Sequence, residues 1–153
     1  MTSAAFQEGG DIPPEFTCQG SDRPLPVAWE GVPEDTESLA LVLDDPNAGG
    51  YVHWLVYAIP PDASGLGTLI PQGALEGTNS ARGTGYTGPC PPQGEEHTYR
   101  VRLFALDTVP ALETGAAAKD LLGAMDGHVI AQGELTGTYQ LIVAETSSPA
   151  ATD

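Results

Sequence analysis

Ser38-Leu-Ala-Leu-Val-Leu43 is an apolar run closed on both sides by turn-forming and charged residues. A short apolar run bounded by turn signals reads as a strand buried on both faces. It feeds Asp44-Asp-Pro-Asn-Ala-Gly-Gly50, a tight loop, and then a second apolar run from Tyr51 or Val52 to Ile59, which Pro60-Pro61 stops. Two such runs joined by turn residues predict an antiparallel pair at the centre of a sheet. Upstream, Val27 to Trp29 reads as a short strand ended by Gly31 and Pro33, and the loop from Glu30 to Glu37 is acidic and solvated. Residues 1–26 are punctuated by Gly9-Gly10, Pro13-Pro14, Gly20, Pro24 and Pro26. Within that entry Phe16 and Cys18 alternate with polar neighbours and predict a short strand.

Downstream the decisive block is Gly85-Tyr-Thr-Gly-Pro-Cys-Pro-Pro-Gln-Gly-Glu-Glu-His-Thr-Tyr99. Pro89, Pro91 and Pro92 fix φ and remove donors, which makes a stiff loop. Glycine lets backbone amides approach whatever lies above them. His97 and Tyr99 stand two apart on a strand, so both side chains leave the same face. From Tyr99 to Leu106 the alternation continues, Arg100 and Arg102 on one face, Val101 and Leu103 on the other, a half-buried strand. Asp62 to Gly85 is polar, Gly-rich and aperiodic, a long surface loop of the kind that is functional or disordered. Ala116 to about Gly127 predicts the one convincing helix, with Leu121, Leu122 and Met125 facing the sheet and Gly127 as the stop. Val129–Ala131, Leu135–Tyr139 and Leu141–Ala144 read as closing strands, and Ser147–Asp153 as a frayed tail. With 19 Gly and 14 Pro in 153 residues, no repeat and no linker, the chain reads as one mainly β domain, an antiparallel β-sandwich over residues 1–153.

The charge balance narrows the partners. Twenty-one acids face five bases, a formal net charge of −16. No basic stripe exists, which argues against nucleic acid and anionic membranes. The same imbalance is read either as adaptation to a salt-rich cytoplasm or as a merely acidic protein. No signal-peptide pattern opens the chain, and no apolar run reaches the ~18 residues of a spanning helix. The expectation is a soluble, cytoplasmic protein. Cys18 and Cys90 are too few and too far apart for a zinc knuckle or a disulfide framework. In a reducing compartment both read as thiols, although the sequence leaves open whether they meet in space.

Three histidines exist, His53, His97 and His128. His53 and His97 each open a predicted central strand, and antiparallel pairing could gather them with Asp45. Asp, two His and a Tyr allow three chemistries. Imidazoles, a phenol and loop amides can donate to a phosphoryl or carboxylate group, with Asp45 fixing a tautomer or accepting from a ligand ammonium. Two His and one Asp could instead hold zinc, but neither HExxH nor CxxC spacing is present. A Ser or Cys nucleophile lacks a Gly-x-Ser-x-Gly elbow or an activating neighbour. No cofactor and no metal ligand set is assigned. His128 follows the helix stop, where a cation complements the helix dipole. Trp54, beside His53, is expected on the opposite face in the core, and Trp29 in the core as well.

In their order, Phe16-Thr-Cys-Gln-Gly, Trp29-Glu-Gly-Val-Pro, Ser38 to Pro46, Val52-His-Trp-Leu-Val-Tyr, Gly77-Thr-Asn79, Gly85 to Pro92, His97-Thr-Tyr99, Gly127-His-Val-Ile-Ala and Gly137-Thr-Tyr139 span nearly the whole chain. This pattern resembles the phosphatidylethanolamine-binding protein family, also called the Raf kinase inhibitor protein family, in its compact bacterial and archaeal branch. The resemblance implies a central antiparallel sheet on a smaller one, with one or two peripheral helices. It implies a non-enzymatic protein whose surface pocket takes phosphate, acetate or a phosphoethanolamine head group, and which modulates a kinase or other enzyme. Runner-up readings are a phosphoester hydrolase using His53, His97 and Asp45, and a surface inhibitor with a vestigial pocket. Carried over, the pocket is Asp45, His53, Gly88, His97 and Tyr99, with Pro46, Asn47, Tyr86, Pro89, Cys90 and Pro91 at its wall or behind it and Asn79 pinning the long loop. Homodimers are implied too. Two departures stand out: Asn47 replaces an aspartate of the family loop, and Gly49 replaces a proline, which should loosen the loop.

Overall fold

All eight residues of the strand Ser38–Asp45 are buried. Its odd positions, Leu39, Leu41 and Leu43, enter one core, while Ala40 and Val42 enter another on the opposite face. A strand with both faces covered must be apolar throughout, which is why this stretch lacks the polar alternation of a surface strand. The structure, a computed structural model, describes residues 1–142. In chain order the strands are β1 (Val27–Ala28), β2 (Ser38–Asp45), β3 (Tyr51–Ile59), β4 (Gly65–Leu66), β5 (Leu75–Glu76), β6 (Glu96–Leu106) and β7 (Val129–Gln140), with one helix, α1 (Ala118–Met125), before β7.

The fold is mainly antiparallel β, in two sheets. A five-stranded sheet has the order β5-β3-β2-β6-β7, and β1 pairs with β4 in a two-stranded one. The predicted pair of apolar runs is the β2–β3 pairing, and β6 flanks β2 on its other side. The larger core gathers Phe16, Trp29, Leu41, Trp54, Tyr99, Val101 and Leu135; the smaller gathers Leu55, Tyr57, Phe104, Leu121 and Met125 under the helix. Each fully buried Leu or Val is worth about 1.5–3 kcal/mol, so these two cores outweigh any exposed ion pair in fixing the sheet.

Several local expectations are corrected. Residues 14–16 form a short 3-10 turn instead of a strand, because Pro13 and Pro14 preset its φ and Thr17 closes it on the Pro14 carbonyl. The helix is shorter than expected, and Leu122 lies 47% exposed while Leu121 and Met125 are buried. Gly127 adopts φ +82°, as a helix stop requires. The first two of the three predicted closing strands are one: β7 continues through Gly133 and Gly137 because β6 pairs with it along its length. Leu141 and Ile142 are outside the strand; residues 143–144 and the tail 147–153 lie outside the described residues. The loop from Asp62 to Gly85 carries the short strands β4 and β5 and is folded back on itself by Asn79. Asp44 and Asp45 belong to β2 and not to the loop that follows.

Cys18 and Cys90 are joined in a disulfide, so the thiol expectation is overturned. The spacing of 72 residues hid the pairing. The 16–22 turn and the Pro-rich loop lie against one another, with the Cys18 N–H donating to the Pro89 carbonyl at 3.2 Å.

Candidate functional site

Where β2, β3 and β6 end together, a cavity of about 220 Å3 opens, lined by Asp45, Ala48, Tyr51, His53, Thr87, Gly88, Cys90, Pro91, Pro92, His97 and Tyr99. Asp45 is the last residue of β2, and His97 and Tyr99 project from one face of β6. His53 arrives there through a β-bulge. Leu43 pairs with Trp54 but Asp44 pairs with Val52, so β3 carries one extra residue at His53. A bulge leaves its extra residue out of the ladder and re-aims it. As a result His53 and Trp54 lie on the same side of the sheet, contrary to the alternation read from sequence. The Trp54 ring joins the larger core with Tyr99, and the His53 ring meets Tyr99 edge-on at 5.3 Å.

His97 is held at both ring nitrogens. Its Nδ1 donates to Asp45 Oδ2 at 2.6 Å and its Nε2 to Glu95 Oε1 at 2.9 Å. These two hydrogen bonds raise its pKa above the ordinary 6.5. Asp45 uses its other oxygen to accept the Asn47 N–H at 2.9 Å. His53 behaves in the opposite sense. Burial pushes its pKa below 6.5, and the hydrogen bond to Thr87 and the charge of Asp45 only partly offset that. Its Nδ1 donates to the Thr87 carbonyl at 2.7 Å. Burial, with Asp45 nearby, also holds the Tyr99 phenol well above its usual range, so it stays a hydroxyl donor. Among the described residues neither the Tyr99 hydroxyl nor His53 Nε2 has a protein partner.

Gly88 lines the cavity, but its amide does not point an open donor at a ligand: it donates to Asp22 Oδ1 at 2.9 Å. Thr87 donates to the His53 carbonyl, and Pro89, Pro91 and Pro92 have no N–H to offer. The glycine is required for another reason. A Cβ there would lie 2.1 Å from Asp22 Oδ1 and 2.4 Å from the Phe16 carbonyl. The amides of Thr87 and Gly88 are therefore not open donors to a guest.

The remaining predicted residues stand around this centre. Cys90 and Pro91 line the wall; Pro89 is buried behind it. Pro46 and Asn47 form a 3-10 turn, and Asn47 Oδ1 accepts the Thr98 N–H at 2.7 Å, tying the turn to β6. Gly49 closes that turn at φ +69°, a conformation proline cannot adopt, so the glycine serves the turn here. Tyr86 lies outside the cavity, packed edge-on to Trp54 and donating to the Phe16 carbonyl at 2.6 Å. Asn79 accepts from Ala81 and Gly83 and donates to the Gly85 carbonyl, pinning the loop from within. His128 is away from the site and pairs with Asp107 at 2.8 Å.

Four participants were missed from sequence: Glu95, Tyr51, Thr87 and Asp22. Glu95 and Tyr51 each precede a site histidine by two, the strand spacing that shares a face, and Tyr51 packs 4.8 Å from His53. Asp22 had no local signal, being 66 residues from Gly88. Among the described residues no group of three His, Cys, Asp or Glu side chains is gathered to hold a metal ion, and no helix is long and apolar enough to cross a membrane.

A five-stranded antiparallel sheet with a small partner sheet, and an acid–imidazole–phenol pocket at its strand ends, defines a β-sandwich binding fold. The profile of the family described as phosphatidylethanolamine-binding protein matches residues 2–140, and the chain belongs to that family. It is 45% identical over 148 residues to a UPF0098 protein of Methanothermobacter thermautotrophicus, covering 92% of this chain and 97% of that one. A UPF0098 protein of Chlamydia trachomatis is 40% identical over 147 residues, with the same two coverages. Among solved structures, a putative phosphatidylethanolamine-binding protein homologue from Chlamydia trachomatis, CT736, superposes with a TM-score of 0.86 at 39% identity, covering 92% of this chain and 96% of that one. Escherichia coli YbcL, described as a new member of the mammalian family, gives 0.85 at 28% identity, covering 92% and 97%.

Proposed function

We propose that this chain is a binding protein, not a catalyst, whose pocket at Asp45, His53, His97 and Tyr99 takes one small oxyanion group. The guest is a phosphate or carboxylate, free or carried on a head group or a phosphorylated protein partner. One observation carries the reading: the His97 imidazole, held by Asp45 with its pKa raised and its outer nitrogen covered by the exposed Glu95 carboxylate, and an unpartnered phenol converge on a small cavity. Charge-assisted donors of this type are the strong ones for oxyanions. The size supports it, since about 220 Å3 suits a head group and falls below the range of drug-sized ligands. Family membership supports a binding role, and the family's name points to a phosphoethanolamine-type head group.

Calorimetric titration of inorganic phosphate and O-phosphoethanolamine into wild type and His97→Ala tests the reading. A saturable heat in wild type, weakened by about tenfold or more in the variant, is expected from loss of a charged donor. Absence of saturable binding in wild type at millimolar ligand would overturn it. Steady turnover of p-nitrophenyl phosphate that is lost in His97→Ala would instead favour a hydrolase.

A further inference from the structure

We propose that the pocket selects oxyanions that carry a proton, namely hydrogen phosphate and singly protonated phosphomonoesters, over sulfate, carboxylates and phosphodiesters. The inference rests on the oxyanion reading above and names the class of guest for that same site. It starts from His53. The residue is only 5% exposed, and its ring lines the cavity. A carbonyl oxygen can only accept, so the contact of 2.7 Å to the Thr87 carbonyl assigns the ring proton to Nδ1. Nε2 therefore presents a lone pair, and among the described residues nothing donates to it.

A second proton on the ring would fill that lone pair, and the surroundings decide against it. Tyr51 and Tyr99 pack on the ring at 4.8 and 5.3 Å, and Thr87 covers its far nitrogen. Asp45 at the end of β2, with Asp44 and Asp22 further off, pulls the other way, but burial is the larger effect. A neutral imidazole accepts at one nitrogen only. A guest oxygen without hydrogen would set lone pair against lone pair there; a hydroxyl would donate.

The rest of the cavity reinforces this choice. No Lys or Arg lines it, and the carboxylate of Asp45 faces it. Arg100 and Arg102 are committed to Asp44, and Arg23 to Glu15. A guest with its own proton meets two acceptors there, the His53 Nε2 lone pair and the Asp45 carboxylate. Buried recognition groups left without their partner are what make such a site discriminate.

Sulfate and phosphate share size and tetrahedral shape but differ in that proton, since inorganic phosphate keeps a hydroxyl at neutral pH. Calorimetry on wild type at matched ionic strength would compare phosphate, sulfate and dimethyl phosphate. Dimethyl phosphate has a single charge and no hydroxyl, and it stands for the diester of a lipid head group; it separates charge from proton. Sulfate and dimethyl phosphate are expected to bind about tenfold or more weakly than phosphate. Methyl phosphate, whose second pKa is about 6, should lose affinity relative to inorganic phosphate between about pH 6 and about pH 8. Equal affinities for phosphate and sulfate would overturn the inference and leave the oxyanion reading standing. Tighter binding of dimethyl phosphate than of phosphate would also overturn it, in favour of a lipid diester. Absence of binding by every anion would remove the oxyanion reading and this inference together.

Discussion

His97 sits between two carboxylates of different character, one buried and one in water. Asp45 is buried and holds Nδ1; Glu95, with a side chain 60% exposed, covers Nε2. An incoming oxyanion that needs Nε2 must displace Glu95. At about pH 6, where the imidazole is charged in either form, Glu95→Gln should bind phosphate about two- to fivefold more tightly, the worth of an exposed ion pair. The same substitution should lower the His97 pKa, read from its ring resonances against pH. Because the folded pKa of His97 is raised, its stabilising contribution is complete below the unfolded value of 6.5 and is lost as pH rises through the folded value. Glu95→Gln should therefore cost stability on the acid side of neutrality and little at alkaline pH. An unchanged pKa in the variant would show that Glu95 does not hold the ring. Asp45, His53, His97 and Tyr99 could be named from sequence because each lies on or at the end of a strand. Glu95 could have been, by the two-residue spacing, but its place in a Gly-Glu-Glu turn disguised it.

At the scale of elements, the pocket exists because two departures from regular structure coincide. The bulge in β3 turns His53 to the side of Trp54, and the Pro-rich loop is drawn against the turn at Phe16 and Thr17. Alternation could not reveal the bulge, since an extra residue in a ladder leaves no trace in hydrophobic pattern. It put Trp54 and His53 on opposite faces for that reason. Strand pairing was more legible: the doubly buried Ser38–Leu43 run could only lie inside a sheet. β7 read as fragments because its exposed face and its glycines interrupt the pattern, whereas its ladder to β6 runs through both glycines, with a single register shift near Ile130. The loop contact gives a direct test. Gly88→Ala forces a methyl into the Asp22 carboxylate and the Phe16 carbonyl. Overpacking of this kind costs about 1–3 kcal/mol. Urea denaturation should show that loss, with phosphate affinity falling alongside; a neutral variant would mean that the loop is not pressed against the turn.

Over the whole molecule, a covalent tie acts on the corner that holds the pocket. The Cys18–Cys90 disulfide joins the N-terminal turn to the pocket wall across 72 residues of chain, with Cys90 itself in the lining. A link of that span stabilises chiefly by restricting the unfolded chain, by about 2–4 kcal/mol. Cys18→Ser should lose that amount in equilibrium unfolding, and reductant should lower the melting temperature of wild type while leaving the variant unmoved. Equal stability of wild type with and without reductant, once free thiols are confirmed, would contradict the tie. Fold class, sheet centre and family pattern were legible because they rest on local runs of residues. The disulfide and the Asp22–Gly88 contact were not, because they depend on how distant turns meet. Membership of the phosphatidylethanolamine-binding protein family accounts for the architecture.

The most direct test of that pocket is a phosphate titration followed by the ring-nitrogen resonances of the three histidines at constant pH. His128, paired with Asp107 at the surface, is a built-in control. Saturable shifts at His53 and His97 with one affinity, and none at His128, are expected. Shifts of all three in proportion, without saturation, would mean general ionic screening and would contradict an oxyanion site at these residues.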